Sequence, residues 1–172
     1  IKLNGSDSLM STVFVEKGDS VLVATSDGQS IRFAEDDIRE MGRNAAGVRA
    51  IRLDEKKKDV VISAVAIKKD QKDAYLLVVS QNGFGKRTDI DEYKIQGRGG
   101  SGIKTAEVTT KTGKLIAAAL ITDLESELVA ISKKSQVIRV DSKEIPSLGR
   151  QTQGVRIMKL REGDSIASAV HL

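Results

Sequence analysis

Ten residues, QGRGGSGIKT at 96–105, combine four glycines with Arg98 and Lys104. Side chains that sparse add little packing. The chemistry open to the stretch is that of bare backbone N–H groups and fixed positive charges, which is anion chemistry. A nucleotide-binding phosphate loop needs a strand before it and a helix after it. Here the β-like text IKTAEVTT follows, which speaks against a mononucleotide site.

Catalytic groups are scarce. The single histidine, His171, is next to last in an apolar strand pattern, where it packs rather than acts as a base. With no cysteine and one histidine, no metal-ligand spacing exists, and Glu35-Asp36-Asp37 reads as an exposed turn. Tyr75 lies in an apolar strand and Tyr93 reads as a packing residue of the glycine loop. The chain is expected to be non-catalytic by itself, without cofactor or metal.

The chain has 172 residues, is 40% hydrophobic and carries a net charge of +4, enough for a sizeable core with a mild bias towards polyanions. Three Phe, two Tyr and no Trp leave few platforms for stacking unpaired bases, so single-strand readout is disfavoured. No stretch reaches the roughly 20 apolar residues of a membrane span, and IKLNGSDSLM lacks a signal-peptide layout. A cytoplasmic protein with no membrane partner is expected.

The elements that position the glycine loop emerge from an internal repeat. LVATSDGQSIRF (22–33), LVVSQNGFGKRT (77–88) and VAISKKSQVIRV (129–140) are each an apolar strand, a polar turn and a second strand bearing an arginine, namely Arg32, Arg87 and Arg139. Offsets of about 55 and then about 52 residues also align GRNAAGVR (42–49), GRGGSGIK (97–104) and GRQTQGVR (149–156). Arg43, Arg98 and Arg150 match, as do the cations Arg49, Lys104 and Arg156. Each unit closes with an apolar strand, VVISAVAI, KLIAAALI or SIASAVHL.

Four short strands per unit of about 50 residues is the arithmetic of a propeller blade. The expected class is all-β, a propeller-like β-pinwheel of about three four-stranded blades at 18–69, 70–124 and 125–172. Residues 1–17 would be terminal strands of a preceding blade, because they match only the closing portion of a unit. The one helix-like stretch, FAEDDIREM, is short, and Pro146 in its third-unit counterpart argues against a regular helix.

With MGRNAAGVRAIRL, NGFGKRTDIDEYKIQGRGGSGIKT and IRVDSKEIPSLGRQTQGVRIMKL in view, the chain resembles the C-terminal DNA-wrapping domain of bacterial DNA gyrase A, in its last three blades. The family's basic glycine heptad, Q-[RK]-R-G-G-[RK]-G, has a degenerate counterpart in Gln96, Gly97, Arg98, Gly99, Gly100, Ser101 and Gly102, with Gly97 and Ser101 in place of two cations. The resemblance implies duplex DNA bound and bent without sequence readout, in support of ATP-dependent negative supercoiling by a type II topoisomerase. The rest of gyrase A, together with gyrase B, would be partners, in the bacterial cytoplasm with the nucleoid. A principal heptad would lie upstream of Ile1. Topoisomerase IV has a more eroded version of the same domain, and a protein-interaction scaffold is the reading without DNA.

Expected DNA contacts are Arg98, Lys104, Arg43, Arg49, Arg150, Arg156, Arg87, Lys86, Arg32 and Arg139. For Arg43, Arg98 and Arg150 a structural brace is the alternative. For Arg32, Arg87 and Arg139 it is pairing with Asp36, Asp91 or Asp141. The run Glu55-Lys56-Lys57-Lys58-Asp59 reads as a solvated turn. Open sheet edges leave two assemblies, an open arc capped by its first strand or a homodimer of half-wheels.

Overall fold

The computed structural model describes residues 1–172 apart from Asn4 and Ser6. Its strands are β1 (Ser20–Thr25), β2 (Gln29–Ala34), β3 (Val61–Ile67), β4 (Tyr75–Ser80), β5 (Phe84–Asp89), β6 (Ile103–Lys104), β7 (Leu115–Ile121), β8 (Glu127–Ser132), β9 (Val137–Asp141), β10 (Val155–Arg156) and β11 (Ile166–His171). They form three antiparallel sheets in the orders β3-β1-β2-β6, β10-β5-β4-β7 and β11-β8-β9.

Period-two alternation sends each central strand to two cores. On β4, Leu76 and Val78 pack towards the first sheet with Leu22, Ile67, Ile90 and Tyr93. Leu77 and Val79 face the third with Leu128, Ala130, Ile145 and Met158. Buried on both sides, β1 and β4 read as continuous apolar runs rather than alternating ones. The strands VISAVAI, LIAAALI and IASAVH lie innermost, β3 against β7 and β7 against β11. Their alanines and serines allow that approach, and the Ser63 hydroxyl donates to the Ala118 carbonyl at 2.7 Å. A register shift recurs where each inner strand meets its neighbour, at Ala24/Thr25, Val79/Ser80 and Ile166/Ser168.

Two features differ from the sequence expectation. First, the outermost strand of a sheet comes from the following repeat: β6 pairs with β2 (Gln29 opposite Lys104) and β10 with β5 (Arg156 opposite Phe84). Sheet and repeat boundaries therefore do not coincide, and the third sheet has three strands. Second, the described part of residues 1–17 forms no strand; the Lys2 N–H donates to the Ala45 carbonyl at 3.1 Å and Leu9, Met10 and Phe14 stay exposed. The helical part of FAEDDIREM is limited to the 3₁₀ turn Glu35–Asp37, repeated at Ile90–Glu92 and Ser142–Glu144. A turn that short gains too few hydrogen bonds to grow into an α-helix.

Candidate nucleic-acid interface

The glycine loop is a strap between repeats. Its Gln96 and Gly99 N–H groups donate to the carbonyls of Arg32 and Ala50, each at 2.8 Å, and its Gly100 carbonyl accepts from Arg52. Arg98 continues this backwards reach, Nε donating to the Asp37 carbonyl at 3.1 Å and Nη1 to the Arg49 carbonyl. Arg150 does the same one repeat later, with Nη1 on the Lys104 carbonyl at 3.1 Å and its backbone N–H on the Glu92 carboxylate. The brace alternative thus describes both arginines. Arg43, the first of the set, is exposed and its side chain has no hydrogen bond or ion pair among the described residues; its carbonyl holds the Ile1 ammonium.

The strand arginines are also braces. Arg32 donates to Ser20 Oγ at 2.9 Å and to the carbonyls of Ile90 and Tyr93 across the sheet junction. Burial pulls its pKa below the ordinary value, partly countered by the field of Asp91. Arg87 lies 4.7 Å from the Tyr75 ring and donates to the Ile145 carbonyl at 2.7 Å. Arg139 is exposed and pairs with Glu127 within its own sheet, not with Asp141.

Lys86 departs furthest from expectation. Only 1% exposed, it lies under the third glycine loop with its ammonium donating to the carbonyls of Gly149 at 2.6 Å and Arg150 at 2.8 Å. A buried ammonium spent on carbonyls cannot meet a phosphate. Burial lowers its pKa to about 8, with Glu92 opposing and Arg150 reinforcing the shift. Between about pH 8 and the unfolded lysine value near 10.4, the unfolded chain binds more protons than the fold, so Lys86 makes stability rise with pH there. We expect urea unfolding at pH 7, 8 and 9 to show that rise in the wild type and not in Lys86→Met. Equal pH dependence in the two proteins would contradict the burial of Lys86 under the loop.

Besides Arg43, the expected cations that face outward without serving as braces are Arg49, Lys104 and Arg156, with one that the sequence reading missed, Lys111. Lys104 and Arg156 sit on the outermost strands β6 and β10, and Lys104 pairs with Glu107 at 2.5 Å. Arg156 and Lys111 are exposed, flank the buried Phe84 ring at 5.4 and 5.3 Å, and have no acidic partner among the described residues. The ring fixes both stems while the charged ends stay in water. Phe84 stands where the other repeats have Gln29 and Gln136, the one signal in the sequence that could have drawn attention to Lys111.

Glycines divide in the same way. A Cβ on Gly102 would lie 2.2 Å from the Ser30 carbonyl oxygen, so packing dictates that residue. A Cβ on Gly42, Gly97 or Gly149 would meet nothing within 4 Å, and none of the three has positive φ. Three recurrences without steric demand leave the outer face of each loop bare. An open cleft of about 610 Å³ beside Ser101 and Gly102 is lined by Arg52, Lys56 and Lys57 but also by Asp27, Asp54, Glu55 and Asp59, and so does not favour anions. Among the described residues no cluster of three or more His, Cys, Asp or Glu could hold a metal, and no helix is long and apolar enough to cross a membrane.

Comparison with known proteins agrees with this architecture. The DNA gyrase A protein of Mycolicibacterium smegmatis is 42% identical over 168 residues, 96% of this chain and 19% of the relative. That of Deinococcus deserti is 40% identical over 98% of this chain and 21% of its own length. The chain thus spans about a fifth of the curated relatives it matches. The solved structure of a DNA gyrase A C-terminal domain superposes with a TM-score of 0.79 at 26% identity, covering 91% of this chain and 52% of that one. The C-terminal domain of a DNA topoisomerase IV gives 0.81 at 20% identity, covering 91% and 47%, a likeness of fold. The family described as DNA gyrase C-terminal domain, beta-propeller, matches residues 19–68, 74–122 and 126–171, one segment per repeat, and the chain belongs to it.

Proposed function

We propose that this chain binds and bends duplex DNA without reading base sequence, as part of a gyrase A protein that supports ATP-dependent supercoiling. The observation that carries the reading is the recurrence of a cation on the outermost strands, Lys104 on β6 and Arg156 on β10, with exposed Arg49 at the matching position of the first repeat and exposed Lys111 beside Arg156 on the Phe84 ring. Cations spaced along such an edge neutralise successive phosphates and release counterions, a contact that needs no base readout. Arg43 and the bare glycines 42, 97 and 149 allow close approach of a backbone phosphate. Bending a site of 20–30 bp costs about 1–6 kcal/mol, which several such contacts offset. The remainder of gyrase A, together with gyrase B, supplies the proposed protein partners, in the cytoplasm at the nucleoid. The scaffold reading calls for an apolar patch on a sheet-array face. Large exposed apolar side chains occur in the opening segment, as at Leu9, Met10 and Phe14, and also on the third sheet at Ile131, Val137 and Val170, the one observation that favours the scaffold reading.

Fluorescence anisotropy with duplexes of unrelated sequence tests the proposal. Affinity should be indifferent to sequence, grow with duplex length and fall steeply with salt. Negligible binding at low salt, or equal affinity for short and long duplexes, would rule it out for this chain.

A further inference from the structure

The two ends of each sheet differ in charge. At one end the central strands β1, β4 and β8 begin, and the 3₁₀ turns follow β2, β5 and β9. There the segments 35–40, 89–94 and 141–146 hold nine carboxylates against Arg39, Lys94 and Lys143, and Lys143 is itself paired with Glu125 at 3.2 Å. Asp36, Asp37, Asp91 and Glu144 are exposed, with no side-chain hydrogen bond or ion pair among the described residues. Their charge is left to act on the surroundings, and the field of Asp91 reaches Arg32 in the neighbouring sheet. Three further lysines at this end, at 68, 69 and 72, follow the inner strand β3 and lie away from the outer edge.

The hairpin turns occupy the other end, and the outer cations lie with them. Lys104 stands opposite Gln29 and Arg156 opposite Phe84, beside the hairpin glycines Gly28 and Gly83. Asn82 of the second hairpin donates to the Lys111 carbonyl at 3.1 Å. Lys114 crosses to the first sheet, its ammonium on the Asp27 carboxylate at 3.0 Å and the Lys57 carbonyl at 2.6 Å, so the two hairpins share one side of the array. Most carboxylates here are bonded within the fold. Asp59 and Asp164 accept from serine hydroxyls and backbone N–H groups, Asp54 caps a 3₁₀ turn and Glu107 pairs with Lys104, which leaves Glu55 and Glu162 without a side-chain partner among the described residues.

We infer that the acidic turns set the lateral position of the duplex: it follows the hairpin end of the outer edge, over Lys104, Lys111 and Arg156, while Asp36, Asp37, Asp91 and Glu144 keep it off the turn end. The inference rests on the DNA reading and adds the side on which the DNA runs. A duplex carries one charge per about 1.7 Å of its axis, so a recurring row of free carboxylates repels it in every repeat it passes. A six-residue strand such as β4 spans about 20 Å, two Debye lengths at 0.1 M salt. Repulsion at one end and attraction at the other therefore act separately.

The chain has no cysteine, so an iron chelate that generates hydroxyl radicals can be tethered to one introduced cysteine at a time. Thr110→Cys places it at the hairpin end beside Lys111, and Ile38→Cys at the turn end just after Asp37; both positions are exposed. On a saturating duplex of about 30 bp at low salt, the first probe should cut the DNA strongly and the second weakly. Asp36→Asn with Asp91→Asn and Glu144→Gln should then raise duplex affinity about three- to tenfold near 0.05 M salt, with the gain lost near 0.5 M, and should bring on cutting from position 38. Equal cutting from the two probes on DNA that anisotropy shows to be bound overturns the inference and leaves DNA binding standing, as does a folded triple variant with wild-type affinity at low salt. A chain that binds no duplex at low salt defeats the DNA reading and this inference with it.

Discussion

Replacing Lys111 and Arg156 together by alanine is expected to weaken duplex binding roughly ten- to a hundredfold near 0.1 M salt, and to reduce the slope of log affinity against log salt by about two. The two cations flank one buried ring and carry no carboxylate, so in the proposed complex each neutralises its own phosphate. Arg98→Ala is the contrasting variant. Its guanidinium is committed to the Asp37 and Arg49 carbonyls, so its loss should leave the salt slope nearly unchanged and cost about 1–2 kcal/mol of stability, read by urea unfolding. If Arg98→Ala abolished the slope while the double variant kept it, the assignment of brace and contact would be reversed.

Gly102→Ala should be the most destabilising small substitution in the loop, by about 3 kcal/mol or more. At φ +71° an L-residue costs about 1–2 kcal/mol, and the added Cβ would stand 2.2 Å from the Ser30 oxygen. Relief requires β6 to move off β2, which opens the first sheet. Gly97→Ala, five residues earlier, should change stability by less than about 0.5 kcal/mol, because its Cβ would project into open space. Chemical denaturation of the two variants separates these outcomes. A Gly102→Ala protein as stable as wild type would mean that the strap does not hold the sheets together.

The repeat register was legible because matching positions keep the same residue type in all three units, even where the contacts differ, as at Arg43 and Arg139. Arg98 and Arg150 occupy matching sites and make matching reaches to the preceding loop. Strand exchange was not legible: Ile103–Lys104 is too short for a period-two pattern, and its two residues would suit its own sheet as well as the neighbouring one. Lys86 misled through its charge, although Ile31 and Ile138 at the matching positions marked an interior site. A lysine there survives because two loop carbonyls accept its protons. Lys111 went unnoticed because TTKTG reads as a solvated turn, and only the fold brings that turn to Phe84.

The measurement that tests the central claim most directly is energy transfer between dyes at the two ends of a duplex of about 30 bp, a length whose bending energy is within reach of a few phosphate contacts. Titrated with the wild-type chain at low salt, transfer should rise with occupancy, and the rise should reverse on adding salt, as the ends are drawn together around the outer cations. Saturable binding with no change in transfer would mean that the duplex stays straight, which contradicts a curved DNA path along this edge.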